Sequence, residues 1–213
     1  NLSDYFDSSG PTNKMKDKIL FRNVSFLYDH PELQTGLPDN KKNLIKFCGD
    51  YRADNNNIKK WGLSPDNLPD YVNDYGLTSK LIDQILLSDI DFLRKNPDLQ
   101  ARLSDDKKAL LKFRERYGID DEEIKKYQLA PDNLTDYFDA NGPKSKFWQD
   151  TFLSDTHNLD LIYKYYQNQD EAGRERMGLD DKQIAVARGY SSISEGNDWN
   201  DSRSLFESYV REH

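Results

Sequence analysis

Asn1-Leu2-Ser3-Asp4-Tyr5-Phe6-Asp7 returns as Asn67-Leu68-Pro69-Asp70-Tyr71-Val72-Asn73 and again as Asn133-Leu134-Thr135-Asp136-Tyr137-Phe138-Asp139, a step of 66 residues each time. A tandem period constrains a fold strongly, because each copy must bury its apolar face on its neighbours, and a row of stacked units results. Nearly half of residues 1–66 recur unchanged in residues 67–132 without a gap. The third copy follows through Leu153 and then loses about six residues, so that residues 174–181 align with residues 114–121 at an offset of 60. Past Ile184 the period disappears.

The second copy shows how one unit is punctuated. Pro65-Asp66 opens a short helix over residues 67–73, Gly76 breaks it, and Thr78 is placed to cap the next. Leu77, Leu81 and Ile85 then recur at i, i+4 and i+8 beside Ile82 and Leu86, an apolar face of helical period. Ser88 starts a short helix carrying Phe92 and Leu93, and Asn96-Pro97 reads as an N-cap followed by proline at the first helical position. Ser104-Asp105 begins the longest helix of the copy, with Gly118 as its left-handed end. Asp120 and Glu123 form a capping box for the last one.

No segment alternates with period two for long, so the expected fold is all-α. It is a tandem, α-solenoid-like array of short helices: repeats at residues 1–66 and 67–132, a shortened third repeat at 133–190, and a loop with a C-terminal capping helix in 191–213. The loop is expected at residues 191–200, and the capping helix is expected to carry Leu205, Phe206, Tyr209 and Val210. With no matching cap ahead of Asn1, the sequence reads as starting within an array.

Charge and cysteine content narrow the function classes. The net charge of −8 divides as +1 over residues 1–66, −3 over 67–132 and −6 over 133–213, which disfavours wholesale binding to nucleic acid or an anionic membrane. No run reaches the 18 or so apolar residues of a membrane span. A single cysteine, Cys48, rules out an internal disulfide framework and suits a reducing compartment, the cytoplasm or a virion interior, with a secreted effector as the alternative. Sequons at Asn1, Asn23, Asn133 and Asn200 are what an Asn-rich chain produces by chance.

Few constellations carry chemistry. Cys48 stands where the second copy has Arg114 and reads as a lone, partly buried thiol. His30, His157 and His213 share no helix-face spacing, so no zinc site is expected, and the acidic clusters lack the glycine and closing glutamate of a calcium loop. There is no phosphate-binding glycine loop, dinucleotide fingerprint or nucleophile elbow. No catalytic residue, cofactor or metal is therefore expected.

Two recurrences are candidate contact residues. Tyr5, Tyr71 and Tyr137 would form a row if copies stack, or each would pack its ring between helices. Lys41-Lys42 recurs as Lys107-Lys108, and Lys59-Lys60 as Lys125-Lys126, giving two basic stripes or two solvated helix faces.

Tyr75-Gly76-Leu77 to Ile85-Leu86, then Pro97-Asp98-Leu99, Leu110-Leu111 and Tyr117-Gly118-Ile119 to Ile124, loosely resembles the repeats of mitochondrial transcription termination factors. That resemblance implies stacked helical units that bind nucleic acid. The glycine spacing here alternates between 42 and 24, with one Pro-x-Leu per period.

The expected function is thus a non-enzymatic helical-repeat module that binds another macromolecule, a protein first. A nucleic-acid-binding repeat using the lysines and an accessory helical domain of a larger enzyme are the alternatives.

Overall fold

The computed structural model describes residues 4–8, 10–154, 158–194 and 208. The described chain is mostly helical, and it divides into two compact units, residues 1–103 and 104–213. His157, His213 and the expected capping helix with Leu205, Phe206, Tyr209 and Val210 lie outside the described residues.

The first unit begins with a hairpin, β1 (Phe6–Asp7) and β2 (Gly10–Pro11), then α1 (Asn13–Leu20), α2 (Val24–Asp29) and a 3-10 turn, Pro31–Gln34. There follow α3 (Asp39–Tyr51), α4 (Asn55–Lys60), α5 (Leu68–Tyr71), a second hairpin of β3 (Val72–Asn73) and β4 (Gly76–Leu77), α6 (Ser79–Ser88), α7 (Ile90–Lys95) and α8 (Pro97–Ala101). Leu44, Ile45, Ile58, Leu68, Val72, Leu81, Ile85 and Leu93 are fully or almost fully buried. Trp61 packs at the centre, with its ring 5.8 Å from Phe47 and 5.0 Å from Phe92. Its Nε1 donates to the buried Asp89 carboxylate at 3.2 Å, which also accepts from Asn57 and Lys60.

The second unit consists of α9 (Asp105–Tyr117), α10 (Asp121–Lys126), α11 (Leu134–Tyr137), a hairpin of β5 (Phe138–Asp139) and β6 (Gly142–Pro143), α12 (Ser145–Ser154), α13 (Asn158–Gln167), α14 (Glu171–Met177) and α15 (Asp181–Ser194). Phe113 is its hub, with ring centroids of Phe138, Phe147, Trp148 and Tyr165 between 5.5 and 5.9 Å away. In both units the long helix packs on a hairpin that follows it in sequence: α3 on β3 and β4, and α9 on β5 and β6.

The hairpins correct the expectation for residues 67–73. The helix stops at Tyr71, and Val72–Asn73 turn into a strand paired with Gly76–Leu77. Asp74 and Tyr75 form the loop, and Gly76, the first residue of β4, follows it at φ +124°, a conformation that glycine adopts without a Cβ clash. Asn73 holds the turn by accepting the Tyr75 N–H at 2.9 Å, as Asp139 accepts that of Asn141 at 2.8 Å. Thr78 does occupy the N-cap of α6, but its hydroxyl donates backward to the carbonyls of Asp70 and Tyr71, both at 2.9 Å, and clamps the hairpin instead of the helix.

Two further boundaries move. Ser88 closes α6, because its hydroxyl donates to the Gln84 carbonyl one turn back at 2.7 Å, and Asp89 precedes α7. Residues 191–194, expected to begin a loop, belong to α15, and Ser191 donates to Asp160 on α13 at 2.9 Å; the rest of that expected loop, residues 195–200, lies outside the described residues. Proline at the start of α8, left-handed Gly118 after α9 and the Asp120–Glu123 capping box are all present.

Candidate binding cleft beneath α9

The recurrent tyrosines are half-buried, and each lies against a lysine of the following helix. Lys80 is 5.7 Å from the Tyr71 ring, Lys146 is 4.6 Å from Tyr137, and Lys14 and Lys18 are 5.2 and 4.3 Å from Tyr5. Tyr5 is held below the usual phenol range, chiefly by its hydrogen bond with Lys18. These rings brace the hairpin against the helix after it.

Most of the recurrent lysines meet a carboxylate nearby. Lys41 pairs with Asp17 at 2.6 Å, Lys42 with Asp39 at 3.1 Å, Lys60 with Asp89 at 2.9 Å, Lys108 with Asp105 at 3.6 Å and Lys125 with Glu122 at 2.6 Å. Three of these pairs are i,i+3 neighbours on one helix, a local neutralisation of small energetic value. Lys107 is half-buried, Lys59 and Lys126 are exposed, and Lys126 borders a small cavity with Tyr127 and Tyr137.

Of those lysines only Lys108 reaches a cleft of the second unit about 510 Å³ in volume. One wall is α9, which presents Lys108, Lys112 and Arg116 at i, i+4 and i+8, and the other is the hairpin segment Asn141, Gly142 and Pro143. Phe113, Tyr117 and Tyr165 form the floor. Burial pushes the phenols of Tyr117 and Tyr165 above their usual range, and the Tyr117 hydroxyl is buried with no hydrogen-bond partner among the described residues. Lys112 has no carboxylate partner among the described residues, and Arg116 meets only the Asn168 amide oxygen, at 3.4 Å, while lying over the Tyr117 ring.

The same helix face 66 residues earlier is closed. Asn43 stands where α9 has Ala109, and its amide donates to the carbonyls of Asn73 and Asp74 at 2.9 and 3.2 Å, stitching α3 to the hairpin. Asp50 stands where α9 has Arg116, and it takes Lys46 at 2.6 Å. Tyr51, the counterpart of Tyr117, donates to Asp98 at 2.5 Å. Removing the amide, reversing one charge and freeing one hydroxyl turns a sealed interface into a cationic cleft with an aromatic floor. The signal in the sequence was the set of positions where the second copy departs from the first.

Other reactive groups are held quiet. Cys48 is buried, not partly so, and desolvation, with a smaller contribution from Asp54, pushes its thiol up to about 12, which leaves it protonated and a poor nucleophile. Among the described residues no three His, Cys, Asp or Glu side chains gather as metal ligands, and no helix is long and apolar enough to cross a membrane. No protein-family model, curated protein or solved structure matches the chain, so nothing supports the loose likeness of residues 75–125 to termination-factor repeats beyond the motif residues themselves.

Proposed function

We propose that the chain is a non-enzymatic tandem helical-repeat module that binds a protein partner, and that the cleft beneath α9 is its recognition surface. The array reading is supported by element spacing. α3 and α9, α4 and α10, α5 and α11, and α6 and α12 start 66 residues apart with equal lengths, and the hairpin strands keep the same step.

The observation that carries the binding role is the opened face of α9, where Ala109 and Arg116 replace the Asn43 and Asp50 that close α3. A cleft of several hundred Å³ with an apolar floor and a few polar groups at its rim is the usual form of a binding site. Its lining offers amines, a guanidinium, phenols, amides and the carboxylate of Asp105, which pairs with Lys108 at one end of the cleft, with no His or Cys. The lysine-stripe reading for nucleic acid has less support, because five of its eight lysines already meet carboxylates.

The test is a random peptide library displayed on phage and panned on the immobilised chain, with an Ala109→Asn variant as counter-target. That asparagine reinstates the stitch Asn43 makes. Peptides enriched on the native chain and lost on the variant are the expected result. Enrichment that is equal on both proteins, or none, would remove the cleft from the account.

A further inference from the structure

We infer, on the basis of the cleft reading just given, that the occupant is an extended acidic segment of the partner protein bearing two carboxylates two residues apart. The first unit shows what the cations of this helix face require. There Lys46 is neutralised by Asp50 one turn along α3, at 2.6 Å, and Lys42 by Asp39. In the second unit the position of Asp50 is Arg116, so the chain no longer provides that carboxylate and instead presents a second cation. Lys112 and Arg116 are left without an acidic partner among the described residues, in a chain whose net charge is −8. The cleft thus offers two cations to which a ligand can supply the carboxylates.

Spacing selects the shape of the segment. Neighbours at i and i+4 on a helix lie about 5–6 Å apart at Cβ. An extended chain rises about 3.3 Å per residue and sends alternate side chains to one side, so acids at i and i+2 lie about 6.6 Å apart. An acid-x-acid run lying along α9 therefore sets one carboxylate at Lys112 and the other at Arg116, where the planar guanidinium donates two parallel hydrogen bonds to the carboxylate. The floor of Phe113, Tyr117 and Tyr165 receives the apolar parts of the segment, and Gly142 and Pro143 bound the opposite side. Tyr75 marks the contrast in the first unit: it stands 99% exposed at the hairpin tip where the second unit has Asn141, beside a face already closed by Asn43.

The experiment is fluorescence anisotropy on the full chain with a labelled ten-residue peptide containing Asp-Phe-Asp between Gly/Ser flanks, and with its Asn-Phe-Asn counterpart. Each is titrated into the native protein, Arg116→Gln, Lys112→Gln and Ala109→Asn. All three positions lie on the surface of α9, and circular dichroism checks that each variant keeps its helix content.

The acidic peptide should bind at least about tenfold more tightly than the amide peptide, as expected for charge-assisted bonds. It should lose about tenfold in Arg116→Gln and weaken with added salt. Equal binding of the two peptides, or no loss in either charge variant, would overturn the acidic segment. The cleft reading would survive that result provided Ala109→Asn still weakened the peptides, and would fall if it did not. A single-stranded oligonucleotide displacing the acidic peptide at equal concentration would overturn the assignment to a protein partner.

Discussion

The Arg114 guanidinium is completely buried and meets the Asp121 carboxylate at 2.8 Å, and 66 positions earlier both charges are missing together, replaced by Cys48 and Asn55. Asn55 there accepts the Val24 N–H at 2.7 Å and donates to the Leu20 carbonyl at 3.0 Å. The chain thus holds two solutions to one pair of positions, an ion pair in one copy and, in the other, a buried thiol with an amide that bonds to backbone. A buried charge is tolerable only with its partner.

Asp121→Asn removes the Asp121 carboxylate from the buried Arg114 guanidinium and should cost about 3 kcal/mol in urea denaturation. Arg114→Met with Asp121→Asn should cost less than the sum of the two single changes, because the charge left stranded is removed as well. Additive single and double variants would show that the pair is not coupled.

Two phenols separate a made bond from a missing one. Tyr51→Phe loses the 2.5 Å bond to Asp98 and should lower stability by about 1 kcal/mol. Tyr117→Phe removes a buried hydroxyl that has no partner among the described residues and should be neutral or slightly stabilising. The midpoints of urea unfolding decide it, and a Tyr117→Phe variant as damaged as Tyr51→Phe would mean that the Tyr117 hydroxyl is satisfied in solution.

Cys48 should be silent to thiol reagents in the folded protein. With its thiol pushed up to about 12 and its side chain buried, iodoacetamide at pH 8 should label it only as fast as the chain opens. Labelling should become complete and rapid in denaturant. Rapid labelling without denaturant would contradict the packing of α3 against α2.

Asp139 at the last hairpin gives a pH signature. Its hydrogen bond with Arg176, at 2.5 Å, holds the carboxyl below the usual carboxylate range. A depressed folded value means that the contribution is present above the ordinary range near 4 and fades as the pH falls through the lowered value. Asp139→Asn should therefore be less stable than the native chain at pH 7, with the gap closing as the pH drops below about 4. A gap unchanged between pH 7 and pH 3 would remove the ion pair from the account.

Local chemistry was legible in the sequence, and contact geometry was not. The Asp120–Glu123 box follows from side chains reaching nearby backbone N–H groups, Pro97 at a helix start from its fixed φ and missing N–H, and the left-handed Gly118 from its lack of a Cβ. The hairpins escaped because strands of two residues contain no alternation to detect. Gly10, Gly76 and Gly142 were the signal, each at φ above +100°, yet a glycine between helices reads first as a breaker.

The lysines recur conspicuously, yet recurrence alone does not separate a contact from a cation with an acid one turn away. The cleft depends on α9, the β5–β6 hairpin and Tyr165 of α13 meeting in space, which no single segment encodes. What the sequence did contain was the pair of departures at Ala109 and Arg116.

The packing of α3 on the hairpin of Val72–Asn73 and Gly76–Leu77 has a consequence for anyone dividing this protein. The frame in which the sequence copies itself and the frame in which it coheres are out of phase. A cut at residue 66, the natural seam of the text, would strand α3 from the surface it was made to cover, whereas a cut at residue 103 follows the grain of the molecule.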